Sequence, residues 1–219
     1  MKKTITRRPS LKEFEKSSGI RFNVNMTGKM EGIRCLSTSN LCNPLCAARK
    51  NNPDMICSRC YADTSCKRFK ALGVNMARNS EILSTRLFEV EEFPLLPDRI
   101  FRLEAFGDII NATHARNYLR FAHSNPETMF ALWTKNPWFI RDAIAEGETK
   151  PDNLVILLSS PFIGVRADAS SWEFVDKTFT VYRKSEMSEE AINCGSRQCL
   201  SCLRCYKHNG ERDIREYLK

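Results

Sequence analysis

Long apolar runs are missing from this chain of 219 residues. The longest aliphatic stretch, Leu154 to Leu158, is far too short to span a bilayer. The basic N-terminus carries no apolar segment of the kind a signal peptide requires. Together these absences exclude a membrane partner and lead us to expect a cytoplasmic protein. Histidine is scarce as well. Of the 3 present, His114 and His123 fall nine residues apart on an expected surface helix and His208 follows the last cysteines, so none reads as a metal ligand. Carboxylates are not grouped densely enough for a magnesium-dependent phosphodiester hydrolase. No tandem repeat or low-complexity tract breaks the chain.

Cysteine, by contrast, is abundant at 10 residues. A reducing cytosol disfavours disulfides, so metal ligation becomes the leading explanation. Cys194, Cys199, Cys202 and Cys205 fall within twelve residues, and the last three make a CxxCxxC run. That spacing lets thiolates converge on an iron–sulfur cluster, with four-iron clusters favoured. Zinc is the alternative, since it more often draws one CxxC knuckle from each of two separated loops. Upstream, Cys35, Cys42, Cys46, Cys57, Cys60 and Cys66 lie in a stretch broken by Asn43-Pro44 and Asn52-Pro53. Cys42, Cys46, Cys57 and Cys60 are its candidate metal ligands, and Cys35 and Cys66 read as small buried residues.

The formal net charge is +8. Part of it gathers at Lys2, Lys3, Arg7, Arg8 and Lys12, so residues 1 to 30 read as a basic N-terminal arm. Such an arm suits nucleic acid or another anionic partner, or is simply a solvated tail. Within it, Phe14, Ile20, Phe22 and Val24 are candidates for a short helix and an edge strand.

Residues 31 to 219 read as one α/β domain with cysteine-rich segments at 35–66 and 194–205. A helical stripe runs from Thr64 to Val90, with a bend or break at Gly73. Strands are expected near Ile33 to Leu36, Ile100 to Phe106, Met129 to Thr134, Leu154 to Ser159 and Thr178 to Arg183. Asn111 caps one intervening helix and Pro137 opens another. A charged helix is expected from Asn209 to Lys219. Alternating strands and helices imply a parallel sheet, either open or curved into a partial (β/α) barrel.

Ligands of such folds gather at the carboxyl ends of the strands. That rule selects Glu104, Asp108, Lys135 and Arg183 as catalytic candidates and Ser159 as a cofactor contact. Asn79, an amide on the apolar helix stripe, is either a second cofactor contact or a satisfied packing residue. Arg102 and Glu104 share a strand face and form a structural ion pair in the simplest reading. Both cysteine groups are expected on the same rim.

Several ordered motifs go together: Cys42-Asn-Pro-Leu-Cys46, Cys57-Ser-Arg-Cys60-Tyr61-Ala62, Arg78-Asn79, Arg102-Leu-Glu-Ala-Phe-Gly107-Asp108 and the terminal cysteines. In this order they resemble the bacteriophage "gene product 88" family over about residues 30 to 206. That family is similar in outline to radical S-adenosylmethionine enzymes, whose partial barrel carries a cysteine motif after its first strand. The resemblance implies three thiolates on a four-iron cluster, with the fourth iron open to S-adenosylmethionine. The usual CxxxCxxC would place its third cysteine at position 49, which is Arg49. An insertion before Cys57, or four-cysteine ligation of a closed site, both fit. A non-catalytic module, stabilised by zinc or a cluster and binding nucleic acid or a host protein, is the alternative function.

Overall fold

A computed structural model describes residues 7–218. Six strands, β1 (Arg34–Leu36), β2 (Ile100–Leu103), β3 (Met129–Thr134), β4 (Leu154–Ser159), β5 (Lys177–Tyr182) and β6 (Asp213–Tyr217), form one sheet. They lie in chain order and every neighbouring pair is parallel. Seven helices accompany them: α1 (Leu11–Ser18), α2 (Pro44–Lys50), α3 (Tyr61–Arg68), α4 (Lys70–Thr85), α5 (Ala112–His123), α6 (Pro137–Ala145) and α7 (Cys199–Cys202). β4 reads Leu-Val-Ile-Leu-Leu-Ser and is buried throughout, as a central strand covered on both faces must be.

Strand alternation sends side chains to two different cores. On the helix side Leu36, Phe101, Leu103, Phe130, Leu132, Leu154 and Ile156 meet Tyr118, Leu119, Ala122 and Ile140. Phe14, Phe22, Phe88, Phe93 and Phe121 join them, with ring centroids 5.1–6.0 Å apart. Each such ring contributes about 1.5–3 kcal/mol by leaving water. The other face presents Ile33, Ile100, Ala131, Val155, Leu157 and Ile214, and the C-terminal cysteine segment packs on it through Tyr206, Cys194, Cys199, Leu203 and Cys205.

Several expectations need correction. Residues 7 to 30 do not extend away as an arm. A capping box at Ser10 and Glu13 starts α1, which buries Phe14, and Ile20 follows it into the core. Arg8 is also held, donating to the carbonyls of Phe93, Pro94 and Ser124. Lys2 and Lys3 lie outside the described residues. The helical stripe divides at Phe69 rather than at Gly73, and α4 ends at Thr85. Gly73 instead permits close packing, since a Cβ there would stand 2.9 Å from the Cys66 carbonyl oxygen. The charged tail forms β6, not a helix. Only Ile214 of Asp-Ile-Arg-Glu-Tyr is buried, which suits an edge strand, and pairing with β5 outweighs helix propensity.

Two side-chain readings change as well. His114 is fully buried rather than on a surface. Arg102 turns away from the Glu104 carboxylate, donates to the Glu104 backbone carbonyl at 3.3 and 3.4 Å, and stacks on Trp133. The positive φ of Glu104, 54°, is what lets its side chain leave the strand alternation and enter the helix-side core.

Candidate functional site

The chain leaving β1 builds the first cysteine group. Asn43 caps α2 by accepting from Leu45 N at 3.0 Å, and Pro44 takes the first helical position. The Asn43 amide also donates to the Asp108 and Ile109 carbonyls, fixing α2 against the loop after β2. Beyond α2 the backbone crosses to the segment after β4. Ile56 N donates to Pro161 O at 2.8 Å, and Ile163 N donates to Asp54 O at 3.1 Å. A turn at Ile56–Arg59 then presents Cys57, and Cys60 caps α3.

Cys46, Cys57 and Cys60 form the electrostatically coupled trio. Burial pushes the Cys46 thiol up, and the nearby Asp108, Cys57 and Cys60 add to the rise while Lys135 opposes it. Burial raises Cys57 too, against Lys135 and Arg49. Cys42, grouped with them from sequence, is exposed, and the buried Cys66 of α3 lies near Cys60 and Cys42 alike. Arg49 donates to Lys135 O and to Asn136 Oδ1 at 2.7 Å, yet its Nη1 is buried with no partner.

Beside the trio lies a carboxylate framework. Asp108 accepts from Thr134 Oγ1 at 2.6 Å, from its neighbour Ile109 N, and from Lys135 N at 2.9 Å, so it clamps the ends of β2 and β3 together. Glu104 accepts from Thr38 N, Thr38 Oγ1 and Tyr118 Oη at 3.1, 2.8 and 2.7 Å. Burial pushes its carboxyl up to about 8, against the pull of these donors. His114 Nδ1 accepts from Ile110 N, leaving Nε2 to face Glu104 Oε1 from 3.4 Å. Burial holds this imidazole down at about 3, so it is neutral. Gly107, at φ 48°, closes the loop where a Cβ would meet Thr38 O at 2.5 Å.

The structure thus brings Glu104, Asp108 and Lys135 into one neighbourhood. Arg183, at the end of β5, instead pairs with Glu186 at 2.6 Å. Ser159 is buried at the end of β4 opposite Phe179. Asn79 is spent on backbone, accepting from Arg21 N and donating to Arg21 O and Ser37 O. Sequence reasoning passed over Thr38, Arg49, His114 and Tyr118. His114 and Tyr118 stand four residues apart on α5, and counting Tyr118 and Phe121 in the apolar stripe would have turned that face inward.

The second group does not sit at the strand ends. Cys194 N donates to Arg215 O on β6, and Lys29 Nζ lies 3.6 Å from Cys194 Sγ and 2.7 Å from Glu216 Oε1. α7 and the left-handed Leu203, φ 53°, fold Cys199, Cys202 and Cys205 back onto the sheet. Burial lifts Cys205 to about 12, with Cys194 next and Arg102 opposing. Tyr206 packs 6.2 Å from Trp133, and its buried hydroxyl has no partner.

All ten cysteines are free. Among the described residues no three His, Cys, Asp or Glu side chains converge tightly enough to hold a single ion. No helix among them is long and apolar enough to cross a membrane.

A family model for Gene product 88 matches residues 2–213. This chain belongs to the Gene product 88 family. The match spans both cysteine groups and all six strands up to the first residue of β6. No curated protein and no solved structure matches the chain.

Proposed function

We propose that this Gene product 88 protein is an iron–sulfur enzyme with two cysteine-ligated centres. Cys46, Cys57 and Cys60 hold one, and Cys194, Cys199, Cys202 and Cys205 hold the other. What supports this reading is that all ten thiols are free and fall in two places, one group in the loops after β1 near Lys135 and Arg49, the other packed on the sheet face through Cys194, Cys199 and Cys205. Three thiolates leave one iron of a four-iron cluster open, whereas four close it. Arg49 and Lys135 supply positive charge to thiolates and cluster, and the orphaned Arg49 Nη1 is a donor awaiting an acceptor there.

A tetrahedral zinc site would bring its sulfurs about 3.8 Å apart at the usual zinc–sulfur distance. A four-iron cluster spreads its thiolates more widely. When bound, an open four-iron cluster supplies one-electron reduction of a ligand such as S-adenosylmethionine. The chain's own contribution is to hold that ligand against the strand ends. Lys135 and Arg49 would bear on its anionic portion, beside the segment at Pro161 and Ile163 that pairs with the backbone of Asp54 and Ile56. The sequential six-strand parallel sheet is the scaffold the radical-type reading calls for.

Anaerobic purification with iron, sulfide and zinc analysis tests this directly. Two clusters' worth of iron is expected, falling to one in the double variant Cys199→Ser, Cys202→Ser, with the Cys46 centre still loaded. Reduction with added S-adenosylmethionine should release 5′-deoxyadenosine from wild type and from the double variant, but not from Cys57→Ser. A colourless protein with stoichiometric zinc would overturn the proposal in favour of a structural, non-catalytic module.

A further inference from the structure

The face bearing the trio carries an unusual share of the chain's charge and of its exposed rings. Residues 41 to 70 contain six basic residues and two acidic ones, so half of the net +8 falls in this segment. Arg59, Lys67, Arg68 and Lys70 are all exposed, as are Tyr61 and Phe69 at 60% and 55%. Asp63 is already shared by Lys50 and Lys67 at 2.8 and 2.9 Å, leaving surplus positive charge around it. Tyr61 adjoins Cys60. Its hydroxyl is tied to the Ala105 carbonyl and its ring leans on Phe106, which fixes the ring in place while one side stays open. Phe69 closes α3, with the Arg68 guanidinium 5.3 Å from its ring centre.

Tyr61 opens α3 and Phe69 follows its last residue, so the length of the helix, about 12 Å, separates the two rings. Arg59 precedes the helix, Lys67 and Arg68 lie in its last turn and Lys70 opens α4. Isolated flat rings alternating with cations match a polymer that alternates bases with phosphates better than they match the continuous apolar patch of a protein interface.

We propose that a single-stranded nucleic acid lies along α3, its bases stacking on Tyr61 and Phe69 and its phosphates on Arg59, Lys67, Arg68 and Lys70. The strand passes over Cys60 and so presents a nucleotide to the trio. Calling that nucleotide the substrate class rests on the open-centre reading above; binding of the strand does not.

The test uses the full chain and fluorescent oligothymidylate or oligouridylate of about a dozen nucleotides, with anisotropy as the readout. Four phosphate contacts predict that affinity falls about 50-fold between about 50 and 200 mM salt. The triple variant Lys67→Gln, Arg68→Gln, Lys70→Gln should lower the log–log salt slope by about 2. Phe69→Leu keeps an apolar side chain but loses the π-face, so binding should weaken about tenfold with the slope unchanged.

Unchanged binding in the triple variant overturns the inference. So does Phe69→Leu binding as tightly as wild type, which would mark an apolar protein-docking site. Competition by polyglutamate as effective as by oligonucleotide, the mark of an acidic protein partner, overturns it too. Iron content read on the same samples separates the two claims. A protein that holds iron but binds no strand overturns this inference alone. A protein that binds the strand without iron overturns the open-centre reading alone.

Discussion

Glu104→Gln tests the buried network at the end of β2. Burial pushes the Glu104 carboxyl from 4.5 to about 8, so between these values the folded protein holds a proton that the unfolded chain has released. Stability therefore falls as pH rises through that window. At about 1.4 kcal/mol per pH unit the full span corresponds to about 5 kcal/mol, of which about 2 kcal/mol lies between pH 6.5 and 8. His114 acts in the opposite direction. Its imidazole is held at about 3, below its ordinary 6.5, so the unfolded chain binds the extra proton and stability rises with pH up to 6.5. The window from 6.5 to 8 isolates Glu104. The Gln amide oxygen keeps the bond from Thr38 N while its NH2 faces the Thr38 and Tyr118 hydroxyls, which must turn to accept, a pH-independent loss of about 1 kcal/mol. Urea unfolding of metal-free wild type and variant, repeated across this window, measures the difference. We expect the wild type to lose stability as pH rises while Glu104→Gln stays flat. Parallel profiles for the two proteins would refute the reasoning.

Other substitutions probe the elements that place the site. Gly107→Ala drives a methyl into Thr38 O at a positive φ, and should destabilise by more than about 3 kcal/mol, read by thermal unfolding. Asn79→Ala strands three backbone groups of Arg21 and Ser37, and an expected loss of about 2–4 kcal/mol is measurable by denaturant titration. Tyr206→Phe removes a buried hydroxyl without a partner, so metal-free protein should gain about 1 kcal/mol; a loss of that size would show that the hydroxyl is engaged.

The elements most legible in the sequence were those with strong local signals. β3 and β4 span Met129–Thr134 and Leu154–Ser159 as their apolar runs dictate, and Asn111 and Pro137 open their helices because capping and a fixed proline φ are local effects. β6 was illegible because an edge strand needs only one buried residue, Ile214, and takes its hydrogen bonds from β5. The strand-end rule found Glu104, Asp108 and Lys135, since position along a parallel strand follows from the pattern alone. It did not find Arg49, which reaches Lys135 across 86 positions of sequence.

By itself the sequence determined a parallel α/β sheet, ten thiols in two groups and a surplus of positive charge, because periodicity, composition and spacing are properties of the chain. Only the tertiary structure decided where the cysteine segments lie. It laid the Cys194 to Cys205 segment on the sheet face rather than its rim. The physical reason is that thiol proximity depends on packing between distant segments. Apolar burial of Tyr206 and Leu203 against Ile100 and Val155 fixes that packing, and cysteine spacing does not encode it.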